Sequence, residues 1–124
     1  MQNDLFQNVF DLLLDFLSEQ WDTVIFFAGY TNGSYSMKFY IKDEQGQYKD
    51  CFELGFENIQ LVKLFMAIDR VLTKERNNLE DKSRWNVLSM NIKSNGNMKT
   101  DFDYSDISEN SIKYEENWKK KYLV

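Results

Sequence analysis

The stretch Thr23-Val24-Ile25-Phe26-Phe27-Ala28-Gly29-Tyr30, continued by Thr31-Asn32-Gly33-Ser34 and then Tyr35-Ser36-Met37-Lys38-Phe39-Tyr40-Ile41-Lys42, decides the fold. Its opening run is rich in β-branched and aromatic residues and too short for an ordinary helix, so it reads as a buried strand. Asn32-Gly33 is the dipeptide favoured by tight hairpin turns. Beyond it Tyr35, Met37, Phe39 and Ile41 alternate with Ser36, Lys38, Tyr40 and Lys42, the period of a strand with one face toward a core. Asp43-Glu44-Gln45-Gly46-Gln47 supplies a second turn. Tyr48 to Leu54 then makes a third short strand, and the three form a meander.

Outward from this hairpin the period changes. Asp4 to Glu19 places Leu5, Phe6, Val9, Phe10, Leu12, Leu13, Phe16 and Leu17 at helical spacing. The stripe Asp4, Asn8, Asp11, Asp15, Ser18 and Asp22 lies opposite, so the helix has one apolar and one acidic face. Glu57 to Arg76, with Ile59, Leu61, Val62, Leu64, Phe65, Ile68, Val71 and Leu72, is a second long helix, followed by a polar stretch to Ser83. Trp85 to Lys93 and Met98 to Tyr104 flank Ser94-Asn95-Gly96-Asn97 and read as a C-terminal hairpin. Ile112 to Leu123 closes the sequence as a short helix, with Glu115 and Glu116 early and Lys119, Lys120 and Lys121 late, the order the helix dipole favours. These runs predict an α+β fold: an antiparallel sheet, made of a three-strand meander plus a C-terminal hairpin, packed with two long helices and a short C-terminal helix.

With 124 residues, 43% of them hydrophobic and 16% aromatic, the sequence suits one folded domain over 1–124. A net charge of −5 argues against nucleic-acid binding, which needs lysine and arginine to displace phosphate counterions. Asp4, Asp11, Asp15, Glu19 and Asp22 all precede the first base, Lys38, and such a single-sign field suits a basic partner. The lone Cys51 has no disulfide partner, which points to a reducing compartment, and no apolar run reads as a membrane or secretion segment. The expected location is cytoplasmic.

Catalytic chemistry is poorly supported. There is no histidine, which removes the commonest general base and metal ligand, and no glycine-rich phosphate loop. Asp101, Asp103, Asp106 and Glu109 lack the calcium-loop pattern, because Phe102 and Tyr104 stand where small polar residues are needed. Cys51 has no base beside it and reads as an inert buried thiol. No cofactor or metal is expected, and the chain reads as a binding protein rather than an enzyme.

The run Trp85…Gly96-Asn97-Met98-Lys99-Thr100-Asp101-Phe102-Asp103-Tyr104-Ser105-Asp106-Ile107-Ser108, with Trp118-Lys119-Lys120-Lys121-Tyr122-Leu123, resembles the YezG-like immunity (antitoxin) family of bacterial polymorphic toxin systems. A helix leading to Glu19-Gln20-Trp21-Asp22-Thr23-Val24 and an aromatic strand fits the same pattern. The sequence departs from it at Arg84, where the family carries a proline before the tryptophan. The resemblance implies a small cytoplasmic α+β protein that neutralises a cognate toxin domain, in this family often a nuclease. A nuclease grips phosphates with basic residues, so an acidic protein can occupy its cleft in their place.

The expected partner-binding residues are Asp11, Asp15 and Asp22 on the acidic stripe, and Asp101, Asp103, Tyr104, Asp106 and Glu109 near the C-terminal hairpin. Trp118 and Tyr122, four apart on one helix face, are expected to anchor the last helix. The apolar stripes of the long helices also suit a homodimer. The alternatives are an adaptor or regulator binding another basic protein, and a metal-dependent hydrolase using Asp101, Asp103 and Asp106.

Overall fold

The computed structural model describes residues 2–17, 21–31, 33–43 and 45–123. Its elements are α1 (Gln2–Phe16), β1 (Thr23–Thr31), β2 (Ser34–Lys42), β3 (Tyr48–Asp50), α2 (Asn58–Asn77), β4 (Val87–Lys93), β5 (Met98–Asp103) and α3 (Ser111–Tyr122), with short 3-10 turns at Cys51–Glu53 and Asp81–Ser83. The fold is α+β. Its contacts divide it into two compact units, one drawn from Met1–Gln20 and Phe52–Arg84, the other from Trp21–Cys51 and Trp85–Val124.

In the helical unit, α1 buries Leu5, Val9 and Leu13, with Leu17 buried just beyond its end, and α2 buries Leu61, Leu64, Phe65, Ile68 and Leu72. The two helices pack together, and the Phe16 and Phe56 rings meet at 4.7 Å between centroids. Arg84 closes this unit. Its Nε–H donates to the Arg76 carbonyl at 2.9 Å and its Nη2 to the Leu79 carbonyl at 2.8 Å. Those carbonyls lie in the last turn of α2 and just past it, where backbone acceptors lack helical partners and a cation is favoured. Arg84 therefore ties the end of α2 to the chain that follows it.

The sheet unit holds five antiparallel strands in the order β3-β2-β1-β4-β5. Pairing of β1 with β4, Phe27 opposite Ser89, joins the expected meander and hairpin into one sheet. β1 sits at the centre and is buried on both faces, which explains its continuous apolar run where β2 alternates. One face carries Val24, Phe26, Phe39, Leu88, Met90 and Ile92, all buried. On the other, Ile25, Phe27, Tyr40 and Val87 join Ile107 and Trp118 in a core, flanked by Tyr48, Tyr114 and Tyr122.

Two sequence expectations are corrected in detail. The third strand ends at Asp50, because the chain turns into the Cys51–Glu53 3-10 helix and then through Gly55 at φ 82, a left-handed conformation that glycine adopts without strain. Asp22 does not belong to the helical stripe: α1 closes at Phe16, and the Asp22 carbonyl accepts the Ser94 N–H at the end of the β1–β4 pair. The side chain of Asp4, with Ser18, Glu19 and Asn32, lies outside the described residues. Thr31 pairs directly with Ser34.

Candidate partner-binding surface

The strand Thr100-Asp101-Phe102-Asp103 divides its side chains by pleat. Phe102 meets the buried Trp85 at 5.5 Å between ring centroids, and Trp85 in turn meets Tyr30 at 5.8 Å. Asp101 and Asp103 share the opposite side, and both are half-buried. The Tyr122 hydroxyl donates to Asp101 Oδ2 at 2.9 Å, and the Tyr114 hydroxyl donates to Asp103 Oδ2 at 2.6 Å. Between them the Trp118 indole N–H donates to Ser89 Oγ at 2.8 Å, and Ser89 is the cross-strand partner of Asp101.

This arrangement follows from two repeats. Tyr114, Trp118 and Tyr122 are four apart and lie on one helical stripe, spanning roughly 12 Å at 1.5 Å per residue. Asp101 and Asp103 lie about 7 Å apart on one strand face. The long tyrosine side chains bridge the difference, and the first tyrosine meets the later aspartate, so α3 runs antiparallel to β5. Trp118 packs edge-on to Phe27 at 4.9 Å and lies 5.0 Å from Tyr122. It anchors the last helix as expected.

The electrostatics agree with the geometry. Burial pushes the Asp103 carboxyl up, but hydrogen bonds from Tyr114 and Ser105 and the positive charge of Lys121 outweigh it and hold the group below the usual carboxylate range. Burial, reinforced by Asp103, raises Tyr114 and keeps its proton in place as the donor. A cavity of about 470 Å³ opens beside this contact, with Lys99 and Lys121 lining it together with Asp101 and Asp103. Acids and bases balance there, unlike the single-sign field that a phosphate mimic presents.

The other expected residues are exposed. Asp11 and Asp15 lie on the solvent face of α1, with Asp11 Oδ1 accepting a 2.8 Å hydrogen bond from Gln7. Asp22 is exposed and accepts the Thr23 hydroxyl at 3.0 Å. Tyr104 is 56% exposed. The turn after β5 is fixed by Asn86, which donates to the Ser105 carbonyl at 2.9 Å, and it presents Asp106 and Glu109 to solvent. The Ser108 N–H, donating at 3.0 Å, holds the Asp106 carboxyl below its usual range.

Sequence reasoning passed over Tyr114, Ser89 and Glu115. For Glu115 a signal existed: it precedes Trp118 by three residues and so shares the inward side of α3. Cys51 is fully buried and its thiol is pushed up to about 12, chiefly by burial. It is poorly suited to act as a nucleophile. Among the described residues no group of three or more acidic or cysteine side chains is placed to hold a metal ion, and no helix is long and apolar enough to cross a membrane.

The family described as immunity protein YezG-like matches residues 2–124, essentially the whole sequence. No curated protein matches it.

Proposed function

Because the chain belongs to the YezG-like immunity protein family, we propose that it binds and neutralises a cognate bacterial toxin domain, a basic nuclease, in the cytoplasm and without catalysis of its own. The family match over residues 2–124 carries this reading, and it favours treating 1–124 as one immunity domain. The net charge of −5 supports the nuclease, whose phosphate-gripping cleft is basic. The exposed carboxylates Asp11, Asp15, Asp22, Asp106 and Glu109, with the exposed ring of Tyr104, are the contacts we assign to the toxin. Asp101 and Asp103 contribute indirectly, by holding α3 through its tyrosines.

Co-expression with the toxin domain encoded next to this gene tests the reading. The two proteins should co-purify and the cells should grow, whereas toxin alone should arrest them. Reversing Asp11, Asp15, Asp106 and Glu109 to lysine should abolish both effects while leaving the circular dichroism spectrum unchanged. If the unaltered protein neither co-purifies nor protects, the proposal fails. A companion proposal is a homodimer through Ile59, Val62 and Met66, exposed at positions that share one face of α2; light scattering at micromolar concentration reads it.

A further inference from the structure

Glu115 Oε1 is buried and has no hydrogen-bond partner. Burying an acceptor without a donor is costly, more so for a charged group. The same residue, with Phe27, Gly29, Ser36, Ile107 and Ile112, lines a cavity of about 130 Å³. That volume falls well short of the roughly 300–1,000 Å³ of small-molecule sites. It suits a single side chain.

The walls narrow the choice further. Phe27, Ile107 and Ile112 give an apolar surface, with Ile112 75% exposed, and Thr31, Ser34, Tyr35, Ser36 and Ser111 add hydroxyls around it. Gly29 sits inside the central strand, where an added Cβ would lie 3.0 Å from Phe27 Cζ and 3.3 Å from Ile107 Cδ1. Glycine at such a point marks a close approach to the backbone. Lysine and arginine pair an alkyl stem with a head that only donates hydrogen bonds, matching the apolar surface of Phe27, Ile107 and Ile112 and the acceptor oxygens of Glu115 and the neighbouring hydroxyls. An acidic side chain would meet like charge, and a short polar one would leave the walls uncovered. An adjoining depression shares Ser111 and Ile112 and is lined by Glu109 and Glu116 against the single base Lys113, so the surroundings are also acidic.

We infer that this cavity receives one lysine or arginine side chain of the bound toxin domain, its head hydrogen-bonding Glu115. The inference rests on the immunity reading and specifies one contact within it. Glu115→Gln is the decisive variant, because it keeps the shape and Oε1 makes no hydrogen bond to lose. Glu80→Gln, exposed in the helical unit, removes the same charge elsewhere.

Two measurements separate the inference from the reading beneath it. With the toxin domain of the neighbouring gene, calorimetry should show Glu115→Gln weakening binding at least about tenfold, as loss of a desolvated charge partner does, and Glu80→Gln changing it less than about twofold. With n-butylguanidinium chloride as probe and the immunity protein alone, amide resonances of Gly29, Ser36 and Glu115 should shift, and the shifts should disappear in Glu115→Gln. Toxin binding by Glu115→Gln within twofold of the parent overturns the cavity assignment, as does a probe response that is absent or unchanged by the substitution. Failure of the unaltered protein to bind toxin overturns the immunity reading instead.

Discussion

Replacing Trp118 by alanine tests whether α3 is held to the sheet by its central ring. The indole is 4% exposed, packs on Phe27 and Tyr40 at 4.9 and 5.7 Å between centroids, and donates to Ser89 Oγ at 2.8 Å. Truncating a buried tryptophan costs about 3–5 kcal/mol, because the lost transfer energy and the residual cavity add. Loss of the indole hydrogen bond contributes about 1 kcal/mol of that, so Trp118→Phe, which keeps a ring, should cost only about 1–2 kcal/mol. Against a total stability of about 5–15 kcal/mol the alanine variant is severely weakened. At about 4 °C per kcal/mol for a chain of this size, its melting temperature should fall by roughly 12–20 °C. Urea and thermal unfolding followed by far-ultraviolet circular dichroism would measure both variants. An alanine variant within about 1 kcal/mol of the parent would show that Trp118 does not hold α3.

Tyr114→Phe should cost about 1 kcal/mol at neutral pH, the value of a charge-assisted hydrogen bond discounted for partial exposure. Since Asp103 is held below the usual carboxylate range, that stabilisation is present above the unfolded value of about 3.9 and lost as pH falls through the lower folded one, so parent and variant urea midpoints should stay apart at pH 7 and draw together only as the pH falls below the unfolded value. Cys51, with its thiol pushed up to about 12, should resist a disulfide reagent at pH 8 in the folded protein and react once urea unfolds it; rapid labelling of the native state would contradict its burial. Gly29→Ala should destabilise by about 1–3 kcal/mol, because the new methyl presses on the Phe27 ring and Ile107; a neutral effect in thermal melts would show that these side chains yield freely.

The sheet was legible in the sequence because its signals are local. The β1–β2 hairpin announces itself through the Asn32-Gly33 dipeptide between an apolar run and an alternating one, and β4–β5 repeats the device around Gly96, which adopts φ 94. The end of α1 was not legible, since the acidic spacing continues through Asp22 past the point where the helix stops at Phe16. At the candidate site, alternation placed Asp101 and Asp103 on a common side, but nothing local tells which side of a strand a distant helix will cover. That depends on the meeting of Tyr114 and Tyr122 with β5, a contact between segments remote in sequence. The cavity at Glu115 was hidden for the same reason, being built from β1, β2, the loop before α3 and α3 itself.

The order of the strands also governs what the sheet refuses. Among the described residues β3 and β5 are the outermost strands, and the edges of a sheet invite foreign strands to add on. β3 is only 3 residues long, and β5 sets Lys99, Asp101 and Asp103 along its length. A short edge and a charged edge both discourage strand addition, so self-association into extended sheets is disfavoured.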